Sequence, residues 1–215
     1  MLKSLFVKIK EKKRFLNNRQ FCSLIIKTLL RKVFGINWKV DYLMSKDLRV
    51  DMDLPQRDDI LVKEIFLSDF EDPDWASFMS SNKKLFYKNL KSIAKFNTYG
   101  AFVNGKLAYT TTIAWDKVLL SDKLVFNNYG PCGFLIDSYC HPNYRGRGIH
   151  NYMNQWCLYK IASLGWKKAY VFIYEYNIPA LLTQKKCGLK IEKTFRLVFW
   201  KRHVWGQVLN RSAKI

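Results

Sequence analysis

Acidic residues are scarce in this chain. Its 215 residues include 17 Asp plus Glu against 37 Lys plus Arg, a formal net charge of +20 at neutral pH. The imbalance implies an anionic partner (nucleic acid, a membrane surface or a phosphorylated ligand) without choosing among them. Long apolar runs are also missing: no stretch approaches the ~18 residues a bilayer-spanning helix needs, which excludes one. Histidine and cysteine are too scattered to suggest a metal. Cys22, Cys132, Cys140, Cys157 and Cys187 form no C-x-x-C pair, and His141, His150 and His203 complete no zinc spacing. An odd cysteine count without a secretory signal reads as reduced and intracellular, hence cytoplasmic. The N-terminus is basic and apolar, but lysine interrupts it every few residues, so the ~7–15-residue apolar core of a signal peptide does not form.

What the chain does have is hydrophobic and aromatic content, 49% and 16% of residues, enough for a substantial core and too much for a disordered protein. The charge is unevenly placed. Residues 1–35 carry ten basic residues against Glu11 alone; residues 36–74 carry five basic and eleven acidic; residues 75–215 carry 22 basic and five acidic. An acidic stretch thus separates a basic arm from a basic body.

Residues 1–35 read as helical. Leu2, Leu5, Phe6 and Ile9, and then Cys22, Ile25, Ile26, Leu29, Leu30 and Val33, fall at helical spacing, with Gly35 as a stop. A basic amphipathic helix of this kind either packs on a protein surface or lies on an anionic membrane. The spacing predicts a strand at 57–66 and a helical region from Pro73 to Ile93 that Ser80-Ser81-Asn82 can split. A hairpin is expected about Asn104-Gly105, because a type I′ turn needs positive φ at both central residues. After an irregular stretch to 132 come a strand at 133–140 and a helix over 148–164 with Tyr152, Met153, Trp156, Cys157 and Ile161 on its buried side. A strand at 168–174, a helix over 179–187 and strands over 190–208 finish the chain. The alternation indicates an α/β sandwich with a mixed sheet.

The segment most suggestive of chemistry is Cys140-His141-Pro142-Asn143-Tyr144-Arg145-Gly146-Arg147-Gly148-Ile149-His150, between a strand and an amphipathic helix. Glycine lets backbone approach a ligand, the first helical N–H groups are free donors, and two arginines add charge. Together they suit a phosphate or pyrophosphate. The Walker and Rossmann glycine patterns are both absent.

This segment resembles motif A of the GNAT superfamily of acyl-CoA-dependent N-acyltransferases, Arg/Gln-x-x-Gly-x-Gly/Ala after a strand, with Arg145, Gly148 and position 150 in register. A second match follows in order, Asn177-Ile178-Pro179-Ala180 and then Lys185-Lys186-Cys187-Gly188-Leu189. The resemblance covers roughly residues 55–205. It implies a mixed central sheet splayed at the cofactor site and flanked by helices, with residues 1–45 as a basic helical extension and 46–215 as the acyltransferase domain. It further implies that acetyl-CoA or another acyl-CoA is the co-substrate, with no metal. Backbone N–H groups of Arg147, Gly148, Ile149 and His150, with Arg145 and Gly146, would hold the pyrophosphate. Main chain at Tyr139 and Cys140, and Asn177, would hold the pantetheine arm.

The sequence departs from the family at three places. His150 stands where glycine or alanine is usual, and its ring either joins the phosphate donors or points away. Gln184 replaces a tyrosine that often protonates the leaving thiolate, and Leu189 replaces a phenylalanine. Asp137 and Glu175 are the candidate general bases; the competing reading for each is an acid paired with a lysine. The expected reaction moves an acyl group to an amine, the acceptor being an amino sugar, a glycan or lipid precursor, a small amine or a protein. Residues 1–35 would touch an anionic membrane. A nucleic-acid-binding protein and a non-catalytic CoA-binding domain are the alternatives, and the dispersed basic residues speak against the first.

Overall fold

A computed structural model of the protein describes residues 16–121, 124–127, 130–200 and 203–209. Its helices are α1 (Asn18–Phe34), α2 (Ser81–Lys91), α3 (Ile149–Ser163) and α4 (Ile178–Lys186). Its strands are β1 (Ile36–Asp47), β2 (Leu61–Ile65), β3 (Phe96–Val103), β4 (Lys106–Trp115), β5 (Lys117–Ser121), β6 (Leu124–Asn127), β7 (Cys132–Cys140), β8 (Lys168–Tyr174), β9 (Lys190–Trp200) and β10 (His203–Leu209). The chain falls into two compact units, one from Met1–Met44 with Phe172–Ile215, the other Ser45–Val171. The grouping follows contacts rather than chain order, so β9 and β10 belong with α1.

In the Ser45–Val171 unit, β7, β4, β3 and β2 are antiparallel neighbours in that order. The β3–β4 hairpin closes where expected, with Asn104 at φ 51° and Gly105 at φ 74°, the left-handed pair a two-residue turn requires. The first residues of β8 run parallel to β7, from Cys132↔Lys168 to Leu135↔Val171, where the register ends. β7 goes on pairing with β4 as far as Cys140, across one shift of register opposite Thr111. This is a mixed α/β sheet, mostly antiparallel. Helix α3 buries Met153, Cys157, Leu158 and Ile161. It lies close on β7: a Cβ added at Gly133 would sit 2.8 Å from Ile161 Cδ1.

In the other unit, β10, β9, β1 and β8 are neighbours in that order. Helix α1 is closed at its start by a capping box, Asn17 with Gln20, and at its end by Gly35 in the left-handed region, φ 66°. Residues 36–45 correct the sequence reading: they are strand, not part of a helical extension, and both Asp41 and Leu43 are buried. The expectation for residues 2–9 lies outside the described residues. The helical region from Pro73 is split at the serines as the sequence allowed: Pro73–Phe78 is a 3-10 helix, and α2 starts afresh at Ser81 with Ser80 Oγ accepting from Lys83 N at 3.4 Å. A further correction concerns an irregular region. Residues 117–127 include a small antiparallel pair, β5 with β6, where only irregular chain was expected.

Candidate active site

Strand β7 builds the site. Thr110 pairs with Tyr139 and Thr112 with Ile136, so Asp137 and Ser138 together face Thr111. That is a β-bulge, and Asp137 takes φ 48° within it. A bulge re-aims a side chain, and here it brings the Asp137 carboxylate against α2. Tyr87 hydroxyl donates to Asp137 Oδ2 at 2.8 Å, and Lys83 Nζ lies 2.8 Å from Oδ1. Below them, Tyr87 hydroxyl is 2.7 Å from Thr112 Oγ1, which is 2.9 Å from Thr98 Oγ1. Tyr87, Thr98 and Thr112 are buried, whereas Asp137 and Lys83 keep about a fifth of their side-chain surface. Burial first, and then the Asp137 charge, pushes the Tyr87 phenol far above its ordinary range, so Tyr87 stays a donor. Lys83 Nζ is also 5.2 Å from the Tyr139 ring centroid, a cation over an aromatic face.

The loop that follows is pinned at both ends. His141 N–H donates to Ala108 carbonyl at 3.0 Å, and the His141 ring stacks on Phe78 at 5.7 Å. Residues 142–144 form one 3-10 turn. Gly146 at φ 79° and Gly148 at φ 74° are both left-handed. Gly148 is the N-cap of α3 and offers no side-chain cap, and the N–H groups of Ile149 and His150, in the helix's first turn, have no intrahelical acceptor. Arg145 Nε donates to Cys140 carbonyl at 3.3 Å, and the Arg147 guanidinium stands 5.3 Å from the Tyr144 ring. Arg57, absent from the sequence reading, braces the loop by donating from Nη1 to Arg147 carbonyl at 2.9 Å. It is itself held by Asp59, whose carboxyl that hydrogen bond draws below its usual range. The Cys140 thiol is raised by burial, against the opposing pull of Arg145.

The structure decides the question of His150. Its Nδ1 is 2.7 Å from Tyr109 hydroxyl and its Nε2 is 3.3 Å from Asn154 Nδ2, so the ring is turned into the domain and only the backbone N–H remains for an anion. Asp137, Tyr139, Cys140, Arg145, Gly146, Arg147, Gly148, Ile149 and His150 are therefore brought together on one strand–loop–helix segment. Glu175 and Asn177 lie in the other unit. Glu175 is ion-paired with Lys27 of α1, as Asp137 is with Lys83, so both candidate bases meet the lysine-paired alternative. Asn177 precedes α4, with its carbonyl accepting from Leu181 N at 3.0 Å. Gln184 and Leu189 are both buried.

Lys83 and Tyr87 were legible in principle, since they stand four residues apart on a helix and so share a face. Nothing in the sequence aims that face at Asp137. Among the described residues no group of three or more His, Cys, Asp or Glu could hold a metal ion. Among them, too, no helix is long and apolar enough to cross a membrane.

No protein-family model matches the chain, and no curated protein sequence matches it. Solved structures do. A GNAT-family putative acetyltransferase from Novosphingobium aromaticivorans superposes with TM-score 0.50 at 15% identity over 78% of this chain and 68% of that one. The GCN5-related glucosamine N-acetyltransferase region of a fungal multi-domain GH3 β-N-acetylglucosaminidase gives 0.53 at 14% identity, over 85% of this chain and 23% of that one. A conserved protein of unknown function from Staphylococcus epidermidis gives 0.52 at 13% identity, over 80% and 66%. The chain thus spans about two thirds of the first and third of these and under a quarter of the second. At such identities the likeness is one of fold, and it agrees with the mixed α/β sheet. This chain has the fold of the GNAT superfamily.

Proposed function

We propose that the protein is an acyl-CoA-dependent N-acyltransferase, in its simplest form an N-acetyltransferase. The observation that supports this best is the continuous path from the Asp137 bulge through Arg145-Gly146-Arg147-Gly148 to the uncapped start of α3. Backbone N–H groups from Arg147 to His150 bind the coenzyme pyrophosphate, aided by the helix dipole and by Arg145 and Arg147. Main chain at Tyr139 and Cys140, past the point where the β8 register ends, orients the pantetheine arm. Bound acyl-CoA supplies the thioester carbon that an amine attacks.

Asp137 is the acid that fits a proton-accepting role. It stands on the strand that leads into the coenzyme loop, and its pairing with Lys83 at 2.8 Å must open for it to take the proton of an acceptor amine. The Tyr87 hydroxyl fixes the carboxylate so that its basic lone pairs keep one orientation. Most of the acceleration comes from holding amine and thioester together, so no covalent enzyme intermediate is needed. The acceptor class we favour is an amino sugar or a glycan or lipid precursor; the fungal neighbour described as a glucosamine N-acetyltransferase region points the same way.

Calorimetry with acetyl-CoA, followed by turnover against a panel of amine acceptors, tests the reading. Saturable binding and release of free thiol with one acceptor class are expected. Gly148→Glu puts a side chain and a negative charge at a left-handed position beside the proposed pyrophosphate donors, and should weaken acetyl-CoA binding by at least about tenfold. Asp137→Asn should leave that affinity unchanged and lower turnover by about 10²–10⁴-fold. Normal turnover in Asp137→Asn removes Asp137 as the base, and absence of acetyl-CoA binding removes the whole proposal.

A further inference from the structure

Helix α1 has two faces, and the protein uses one of them. Leu24 is buried with Leu16 against Tyr176, and Phe21 packs on the same cluster. Tyr176 hydroxyl donates to Ser23 Oγ at 2.8 Å. Lys27 is buried as well; its ammonium pairs with Glu175 and lies 4.8 Å from the Tyr176 ring. On the opposite side Cys22, Ile26, Leu29 and Val33 recur at intervals of four, three and four residues, which places them along one stripe. Ile26, Leu29 and Val33 are 52%, 55% and 68% exposed, and Phe34 at the helix end is 61% exposed. Scattered exposed apolar residues need no explanation, but a contiguous stripe on a helix already anchored by its other face does.

Charge selects what covers the stripe. The helix carries Arg19, Lys27, Arg31 and Lys32 with no acid, and residues 1–17 add six basic residues against Glu11. A second copy of the same helix would set like charge against like, and no acidic flank is available to steer helix pairing. An anionic lipid surface satisfies both properties at once: apolar side chains enter the acyl boundary while the cations stay among the headgroups. Lys27 is committed to Glu175, which leaves Arg19 and Arg31, both exposed, among the helix's cations for the headgroups.

We propose that α1 is an interfacial helix that docks the protein on an anionic membrane, inserting Ile26, Leu29 and Val33 with Phe34 at the edge. The docking stands independently of acyl transfer. The test mixes the full chain with sucrose-loaded vesicles of phosphatidylcholine, with or without about one-third phosphatidylserine, and measures co-sedimentation. Binding is expected only to the phosphatidylserine vesicles, and about 0.5 M salt should release much of it. Leu29→Gln with Val33→Gln, at exposed positions, should weaken binding by about tenfold or more while circular dichroism and acetyl-CoA affinity stay unchanged. Equal binding to neutral vesicles, wild-type binding by the double variant, or no binding at all would overturn the proposal. A dimer in light scattering that the double variant dissociates, without vesicle binding, would assign the face to self-association instead.

Discussion

Histidine at position 150 becomes intelligible once its ring is followed inward. With Asn154 Nδ2 donating to Nε2, the ring's one proton sits on Nδ1 and goes to the Tyr109 oxygen. A second proton would set N–H against N–H in a buried place. Desolvation accordingly holds the imidazole below its ordinary value of 6.5. The folded state then binds a proton less readily than the unfolded chain, so the contribution to stability is full above about pH 6.5 and is lost as pH falls through the folded value. Thermal unfolding followed from pH 7.5 to 5 should show Tm falling on the acid side of that range, and His150→Asn should flatten the fall. A Tm slope that His150→Asn leaves intact would place the titration elsewhere. The sequence left the ring's direction open because position 150 alone does not tell where Tyr109 and Asn154 lie. The same holds for Asp137: an acid on a strand is readable, but a bulge arises from pairing between β4 and β7, and its effect on the side chain's aim is set by that pairing.

Elements whose signal is local were legible. The Asn104-Gly105 hairpin, β7, α3 and α4 lie within a residue or two of the sequence reading, because turn glycines and helix stops mark their ends. β1 was missed for a physical reason. Apolar residues stand at 36, 38, 40, 42 and 44 with polar ones at 37, 39 and 41, a strand's alternation, but the run follows a helix directly and reads as part of the same extension. The contact between β7 and α3 makes a prediction at this scale. An alanine Cβ at Gly133 would meet Ile161 Cδ1 at 2.8 Å and Cγ1 at 2.9 Å, and Ile161 is fully buried with no room to swing away. Gly133→Ala should therefore destabilise the protein by about 1–3 kcal/mol, a Tm loss of several degrees. Chemical denaturation gives the comparison, with an unchanged midpoint counting against so close an approach of α3 to β7.

For the molecule as a whole, the question is what a net charge of +20 is for. Arg145 and Arg147 have an anion to meet in the proposed coenzyme, and Lys27 and Lys83 are taken up by Glu175 and Asp137. Much of the remainder is spread over the surface, with the densest excess in residues 1–35. Such a chain will attract any polyanion at low ionic strength, which gives the nucleic-acid alternative a definite test. Binding by dispersed lysines releases counterions without reading bases, so affinity for RNA should fall steeply between about 50 and 200 mM salt and should not depend on sequence. Acetyl-CoA binding rests on backbone donors in a fixed loop as well as on charge, so it should weaken far less over the same range. Fluorescence anisotropy with two unrelated RNA sequences, run beside calorimetry with acetyl-CoA, separates the cases. Sequence-selective RNA binding that survives 200 mM salt would make the basic surface a recognition surface. Its loss together with retained coenzyme binding would leave the charge as an attraction to anionic surfaces, densest at the end of the chain where α1 presents its apolar stripe.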